Sequence, residues 1–428
     1  MGFNHKSVKD LKLTGKRVLL RADYNVPVKA GKIEADYRLR ASLPTVKYIL
    51  DQKPEALFII SHLGRPEGKP DAEFSLQPVA KQLSVLLGKP VRFVNDCIGP
   101  TVQVMSGHLL KGQIMMLENL RFHPGEEAND RKFAEAIIDA TNADVFVQDG
   151  FGVVHRAHAS TNAITKLLPS AAGLLLQREV ETIQQVMSKP EKPLLAIIGG
   201  AKIGDKIEVL RRFIKIADCL ALGGAMANNF LKVLGQDVGA SLYDKDQLEV
   251  TSQLLNEAKA EAKERPFQLL IPNDVVLSTD PHGRKPLRLI ARNSMWADIV
   301  NYPKIPRDIE LVKASEMILD IGPASAAAIG GVTALAKTVI WNGTLGMTET
   351  PGLAGAEAPF AHASRTVAEA IIGRRKNLYS VAGGGDTAGF LEKEKLVDEF
   401  NFVSTGGGAM LELMSGHKLP GIEALPDK

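Results

Sequence analysis

Ala56-Leu57-Phe58-Ile59-Ile60-Ser61-His62-Leu63-Gly64-Arg65-Pro66 joins an unbroken apolar run to a tail of hydroxyl, imidazole and guanidinium groups. A run this apolar, with no polar alternation, reads as a strand buried on both faces, which a parallel sheet covered by helices requires. The polar tail then marks the point where the strand leaves the sheet. The arrangement recurs three times in the first 161 residues. Arg21-Ala-Asp-Tyr-Asn-Val-Pro27 follows Arg17–Leu20, Leu117-Glu-Asn-Leu-Arg-Phe-His-Pro-Gly-Glu-Glu127 closes Ile114–Leu117, and His155-Arg-Ala-His-Ala-Ser-Thr161 comes after Val145–Gln148. Strands of a parallel sheet all end on one edge. Arg38, His62, Arg65, Arg121 and Arg156 are therefore expected to converge on one patch suited to a small, heavily charged anion.

The same rhythm runs to the end of the chain. Further strand-like runs are Leu194–Ile198, Cys219–Leu222, Leu269–Ile271, Met317–Leu319, Thr338–Trp341 and Leu378–Ala382. Helical periodicity occupies Asp36–Asp51, Gln77–Leu87, Asp130–Ala140, Asp205–Ile216, Gln247–Glu264 and Ala361–Ile372. Alternating strands and helices predict α/β architecture with parallel, doubly wound sheets. At 428 residues the chain exceeds one ordinary core. The long amphipathic stretch 174–189, stopped by Pro190 and Pro193, reads as a joining helix. The expected domains are 1–175, a hinge helix over 176–192, and 193–407, two Rossmann-like halves. A Pro-, Arg- and Asn-rich stretch, 278–312, reads as a surface excursion.

Composition narrows the function classes. Apolar residues make up 45% and charged residues 24%, as in soluble globular proteins, and the net charge of +3 disfavours a general nucleic-acid binder. Residues 1–190 hold 25 Lys and Arg against 20 Asp and Glu, so the positive excess falls in the half carrying the arginine clusters. Cys97 and Cys219 read as buried free thiols, which suits a cytoplasmic location. No run long enough to cross a membrane occurs.

The second half offers phosphate chemistry. Gly199-Gly200-Ala201-Lys202-Ile203-Gly204-Asp205-Lys206, Gly223-Gly224, Gly383-Gly384-Gly385-Asp386-Thr387 and Gly406-Gly407-Gly408 each sit between a strand and a helix. Glycine lets backbone N–H groups approach a phosphate, and a helix N-terminus adds partial positive charge. Four such junctions point to a polyphosphate. Neither a P-loop string nor a protein-kinase signature is present, and no early Gly-x-Gly-x-x-Gly supports a dehydrogenase. Lys202 and Lys206, four apart, are expected to point the same way off a helix start, and Asp386 is placed to hold Mg2+. Each signal also has an ordinary reading: His62 as a core-edge histidine, Arg38 and Arg40 as surface charge, Asp386 as a helix cap, Glu126–Glu127 as a helix-start pair. His155 and His158 lack a third metal ligand nearby in the sequence.

Taken together, these strings resemble phosphoglycerate kinase over nearly the whole chain, Leu-Glu-Asn-Leu-Arg-Phe-His-Pro-Gly-Glu-Glu most specifically. The resemblance implies reversible phosphoryl transfer between 1,3-bisphosphoglycerate with MgADP and 3-phosphoglycerate with MgATP, in glycolysis, gluconeogenesis or carbon fixation, by a monomer that binds small molecules and neither nucleic acid nor membrane. It assigns Asp23, Asn25, Arg38, His62, Arg65, Arg121 and Arg156 to 3-phosphoglycerate. Gly200, Lys202, Lys206, Gly223, Gly224, Asn342, Glu349, Gly383, Gly384, Gly385, Asp386 and Thr387 fall to ATP or ADP, with Asp386 on Mg2+. Arg38, Lys206 and Gly384 form the reacting set, Ser404-Thr405-Gly-Gly-Gly-Ala resembles the family's late hinge, and the resemblance implies two halves facing across a hinged cleft with the chain end 408–428 packing back on the first. The chain departs from the family at Thr344-Leu345-Gly346-Met347-Thr348, where a proline and an aromatic are usual, and at Ala225, Asn228-Asn229, Gly204 and Gln148-Asp149-Gly150. These changes touch adenosine packing and loop stiffness. They leave open a paralogue of altered nucleotide or acyl-phosphate specificity, or one that binds without catalysis.

Overall fold

The computed structural model describes residues 3–285, 287–291, 312–352 and 357–428. The chain separates into two compact units, Met1–Gln184 with Thr405–Lys428, and Gln185–Ser404.

In the first unit six strands form a parallel sheet: β1 (Arg17–Arg21), β4 (Ala56–Ile60), β5 (Val91–Phe93), β6 (Gln113–Met116), β7 (Val145–Gln148) and β8 (Ser170–Ala172), ordered β5-β6-β4-β1-β7-β8. A two-residue antiparallel hairpin, β2 (Val28–Lys29) with β3 (Lys32–Ile33), precedes the helix Tyr37–Asp51. Strand β1 pairs on both sides, Leu19 opposite Phe58 and Phe146. Its neighbour residues Leu19 and Leu20 point to opposite faces, so each belongs to a different buried cluster. Burying a large aliphatic or aromatic side chain contributes about 1.5–3 kcal/mol, and Leu19, Leu20, Phe58 and Ile59 are all fully buried. Double-sided burial is thus why the apolar runs are continuous.

The second unit repeats the plan with β9 (Leu194–Ile198), β10 (Cys219–Leu222), β11 (Gln268–Leu270), β15 (Thr338–Asn342), β16 (Tyr379–Gly383) and β17 (Phe402–Val403), ordered β11-β10-β9-β15-β16-β17. This is a doubly wound sheet whose winding reverses between β9 and β15, the place where such sheets bind ligands. One expected parallel strand departs from the plan. Met317–Leu319 lies in β14 (Met317–Ile321), which pairs antiparallel with β12 (Asp274–Ser278), itself antiparallel to β13 (Arg288–Ala291). A buried carboxylate ties the excursion to the helix that follows it. Asp274 accepts the N–H of Ala324 and Ser325 at 2.8 Å each, so it fixes the start of helix Pro323–Leu335 just after β14. The 278–312 stretch therefore includes the short strand β13, whereas residues 286 and 292–311 lie outside the described residues.

Helix Leu174–Ser188 begins on Asp149, whose Oδ1 accepts the N–H of Leu175 at 3.0 Å and of Leu176 at 3.2 Å. In the first unit Glu179, on that helix, accepts both the N–H and the hydroxyl of Thr405 through Oε1, at 2.6 and 2.7 Å. The chain end returns further: Lys6 N–H donates to Pro426 O, and Gly421 N–H to Val154 O. The fourth glycine cluster consequently falls in the first unit. Gly408 opens helix Gly408–Ser415 beside His155, because the chain has already left the second sheet at Val403. Both cysteines are buried free thiols. Among the described residues no helix is long and apolar enough to cross a membrane.

Candidate active site

At the carboxyl edge of the first sheet, the segments following β1, β4, β6 and β7 come together. Asp23 is buried, and Arg38, at the start of helix Tyr37–Asp51, reaches both of its carboxylate oxygens at 3.1 Å and the carbonyl of Asn25 at 3.0 Å. Asn25 uses its side-chain oxygen to accept Gly64 N–H at 2.9 Å. The carbonyl of Gly64 in turn accepts from Arg121 Nη1 at 2.8 Å. Arg121 also pairs with Glu127, its Nε 3.1 Å from Oε1. Arg156 lies in electrostatic reach of Arg121, and its Nε donates to His155 Nε2 at 3.2 Å. Arg65 follows Gly64 and is exposed. The structure thus brings Asp23, Asn25, Arg38, His62, Arg121 and Arg156 to one locality.

His62 shows how the patch is tuned. It is 3% exposed, and its Nδ1 lies 3.2 Å from Arg21 Nη2. A guanidinium can only donate. Nδ1 must therefore accept, and the ring proton sits on Nε2. Burial, followed by the charges of Arg21, Arg121 and Arg38, holds the imidazole neutral by pushing its pKa well below the ordinary value. His158 is pushed down to about 3 for the same reasons, burial first and then Arg21. Cations packed so densely repel further protons and attract an anion.

Sequence reasoning missed the group beneath them. Arg21 ends β1 fully buried; its Nε donates to Ser160 Oγ at 2.7 Å, and Nη2 lies 3.8 Å from Glu126 Oε1. Glu126, also fully buried, accepts the hydroxyl and N–H of Ser160 at 2.6 and 3.0 Å. Burial raises its pKa against the opposing pull of Arg21. Glu126 is therefore the counter-ion of Arg21 as well as a helix-start residue. The available signal was an arginine ending an otherwise apolar strand, a position too buried for a lone surface charge.

In the second unit, the glycines after β9, β10 and β16 meet the turn after β15. Lys206 is 8% exposed: its ammonium contacts the carbonyl of Gly199 and lies 3.0 Å from Asn342 Oδ1. Burial lowers its pKa to about 8, with Asp386 the first of the charges opposing that fall. Lys202 does not share this direction. It is exposed and lies before the turn Gly204–Lys206, and the helix begins only at Ile207. The pair spans a loop and a 3-10 turn, where helical spacing does not apply.

The junction is tight. Gly343 has φ +89°, and a Cβ there would meet the Gly199 carbonyl oxygen at 2.3 Å; Gly224, at φ +63°, would meet Gly200 N at 2.5 Å. Gly343 N–H donates to Thr387 Oγ1 at 2.7 Å. Gly200 N–H and Gly224 N–H donate to Thr344 O and Leu345 O at 2.9 and 2.8 Å. The departures at 344–348 are thus held by backbone bonds without a proline. Asn228 and Asn229 are buried and bond the backbone of Leu242 and Asp244 at 2.9 and 2.7 Å. Beside this junction opens a cavity of about 440 Å3, with Leu231, Pro272, Val275 and Met317 as apolar wall and Glu349 and Asp386 at its polar positions. Gly385 and Asp386 are exposed at the amino end of helix Gly385–Lys393, and Gly383 and Gly384 lead into it. An apolar slot with two carboxylates and a helix N-terminus, next to the glycine junction that holds Lys206, suits a flat ring carrying a polyphosphate.

A family model described as phosphoglycerate kinase matches residues 8–417. A phosphoglycerate kinase of Moorella thermoacetica is 42% identical over 422 residues, covering 99% of both chains. One of Dictyoglomus turgidum is 41% identical over 426 residues, with the same coverage. Among solved structures, phosphoglycerate kinase from Coxiella burnetii matches with TM-score 0.76 at 36% identity, covering 98% of both chains. That from Pyrococcus horikoshii OT3 matches with TM-score 0.78 at 26% identity and equal coverage.

Proposed function

This chain belongs to the phosphoglycerate kinase family, and we propose that the two sites divide that family's reaction between them. The enzyme is a phosphotransferase with a carboxyl group as acceptor: a phosphoryl group passes reversibly between 1,3-bisphosphoglycerate with ADP and 3-phosphoglycerate with ATP. The first unit takes the acid. Arg65, Arg121, Arg156 and the Nε2–H of His62 hold its phosphate, and Asp23 and Asn25 orient its hydroxyl and carboxylate. The second unit takes the nucleotide. The apolar cavity receives the base, Glu349 the ribose, and Lys202, Gly200, Gly223, Gly224, Asn342, Gly383, Gly384, Gly385 and Thr387 line the path of the phosphates. The observation that carries this division is the neutral His62 enclosed by Arg21, Arg38 and Arg121 in one unit, while the other presents apolar walls with Glu349 and Asp386 at their polar positions.

No general base is required, because the acceptor is a carboxylate already ionised at neutral pH. The protein's task is alignment and charge neutralisation around a metaphosphate-like group. Arg38 and Lys206 supply that charge, and the turn at Gly384 shapes the phosphate path. Lys206 is held meanwhile against the Gly199 carbonyl and Asn342. Asp386, an exposed carboxylate in the electrostatic field of Lys206, fits Mg2+, which takes one or two carboxylates together with substrate phosphates. When bound, the ion neutralises phosphate charge. Transfer between ligands held on separate units calls for a hinge motion. Two buried free thiols support a cytoplasmic location, and a net charge of only +3 supports small molecules rather than nucleic acid as ligands.

Arg38→Ala tests the division. Turnover falls at least 100-fold while the Kd for 3-phosphoglycerate, by calorimetry, changes only a few-fold, and MgADP binding is unchanged. Equal losses in turnover and acid binding would remove Arg38 from the reacting set. Weakened MgADP binding would contradict the division of ligands.

A further inference from the structure

Asp96 and Cys97 follow β5, and His123 ends the turn after β6, the neighbouring strand of the first sheet. One carboxylate oxygen, Cys97 Sγ and one imidazole nitrogen lie within 4.8 Å of one another. None of the three belongs to the acid site. With Ser75, Asn95 and Glu118 they line a cavity of about 450 Å3. We propose that Asp96, Cys97 and His123 form a binding site for a borderline-soft divalent cation of the zinc type, with water as the fourth ligand.

The donor set carries the choice of ion. Thiolate, imidazole and carboxylate together suit zinc and its transition-metal neighbours, whereas magnesium and calcium take oxygen alone. Metal–ligand bonds of about 2.0–2.3 Å in a tetrahedron place the ligand atoms about 3.3–3.8 Å apart, so ligand atoms now up to 4.8 Å apart close by about 1.5 Å at most. Its parts are already fixed. His123 Nε2 lies 2.8 Å from Asp96 Oδ1, and the ring packs on Phe133 at a centroid distance of 5.1 Å. Cys97 Sγ lies 2.9 Å from the Glu118 carbonyl, and Cys97 N–H donates to Asp96 Oδ1 at 2.6 Å. Phe133 against the ring and the Cys97 N–H on Asp96 orient two ligands as outer partners do, whereas the thiol's bond to the Glu118 carbonyl is given up when the thiolate forms.

Glu118 is not a further ligand. Its Oε1 accepts Leu76 N–H and Asn119 N–H at 2.7 and 2.8 Å, and its Oε2 accepts the Ser75 hydroxyl at 2.7 Å. Three protein ligands and an adjoining cavity leave the fourth position to water. On binding, the Cys97 S–H bond and the His123 Nε2–H bond that faces Asp96 both break, their protons pass to solvent with the ring proton left on Nδ1, and the freed sulfur and nitrogen pairs form the metal bonds. A dication with one thiolate and one carboxylate is neutral overall, which suits a place where Cys97 is fully buried. The ion would tie the loop after β5 to the turn that carries Arg121, two residues before His123.

Titrating the full chain with Co2+ tests the site by its thiolate-to-cobalt absorption band, with Zn2+ displacing the cobalt. The expected result is one site per chain, its band lost in Cys97→Ser and kept in Cys219→Ser, and affinity reduced at least 10-fold in His123→Gln. Circular dichroism checks each variant's fold. If Cys97→Ser fails to fold, His123→Gln decides, since its ring is partly exposed at the protein surface. No saturable band, a band surviving in Cys97→Ser, or unchanged affinity in His123→Gln would overturn the proposal.

Discussion

Lys206→Met should uncouple stability from activity, with an effect whose sign depends on pH. The Lys206 ammonium is buried, and its pKa falls from an ordinary 10.5 to about 8. At about 1.4 kcal/mol per tenfold change, keeping it charged there costs roughly 3 kcal/mol of folding free energy at pH 7. The sign follows from proton counting. Between pH 8 and 10.5 the unfolded chain holds a proton on Lys206 that the folded chain has released, so stability rises with pH across that window and the cost is gone above it. Methionine does not titrate, but it leaves the Gly199 carbonyl and Asn342 Oδ1 without their donor, about 1 kcal/mol each. The variant is therefore expected to be about 1 kcal/mol more stable than wild type at pH 7 and about 2 kcal/mol less stable near pH 10.5. Urea unfolding followed by tryptophan fluorescence reads the relevant unit, because Trp341 is fully buried within it. Background titration is common to both proteins and cancels in the difference. A wild-type-minus-variant difference that stays constant with pH would refute the claim that Lys206 is held desolvated.

The opposite pH dependence is expected at Asp149, where burial raises the carboxyl pKa to about 7. Wild type should lose about 2–4 kcal/mol relative to Asp149→Asn as pH rises from 4 to 8, since the folded carboxyl binds the extra proton; urea midpoints at the two pH values check this. Arg21→Met leaves Glu126 charged and uncompensated, and should destabilise the first unit by about 3–5 kcal/mol. Adding Glu126→Gln should recover part of that loss in thermal unfolding, and no recovery would mean that the two residues are not coupled.

Much of this was legible in the chain because double-sided burial writes itself as continuous apolar runs. Ala56–Ile60, Val145–Gln148, Leu194–Ile198 and Cys219–Leu222 are strands with the bounds read from sequence. The short β5 and β8 escaped notice, since Val91-Arg92-Phe93 and Ser170-Ala171-Ala172 carry too little apolar pattern to register. The antiparallel trio β12, β13 and β14 was hidden for a different reason: strand direction is a tertiary property, and Met317–Ile321 looks the same run either way. In the site, charged groups at strand ends could be grouped by topology alone. The Arg21–Glu126–Ser160 network could not, because its members are 105 and 139 residues along the chain from Arg21 and meet only after folding. Lys202 and Lys206 failed as a pair because the loop between them is not helical.

The most direct test of the central claim is a coupled assay of the purified chain with 3-phosphoglycerate, Mg2+ and ATP, repeated with GTP. The account predicts ADP formation that depends on both the acid and Mg2+ and is abolished by Lys206→Ala in folded protein. Absence of turnover with either nucleotide, in wild-type protein that binds both 3-phosphoglycerate and MgATP, would contradict it.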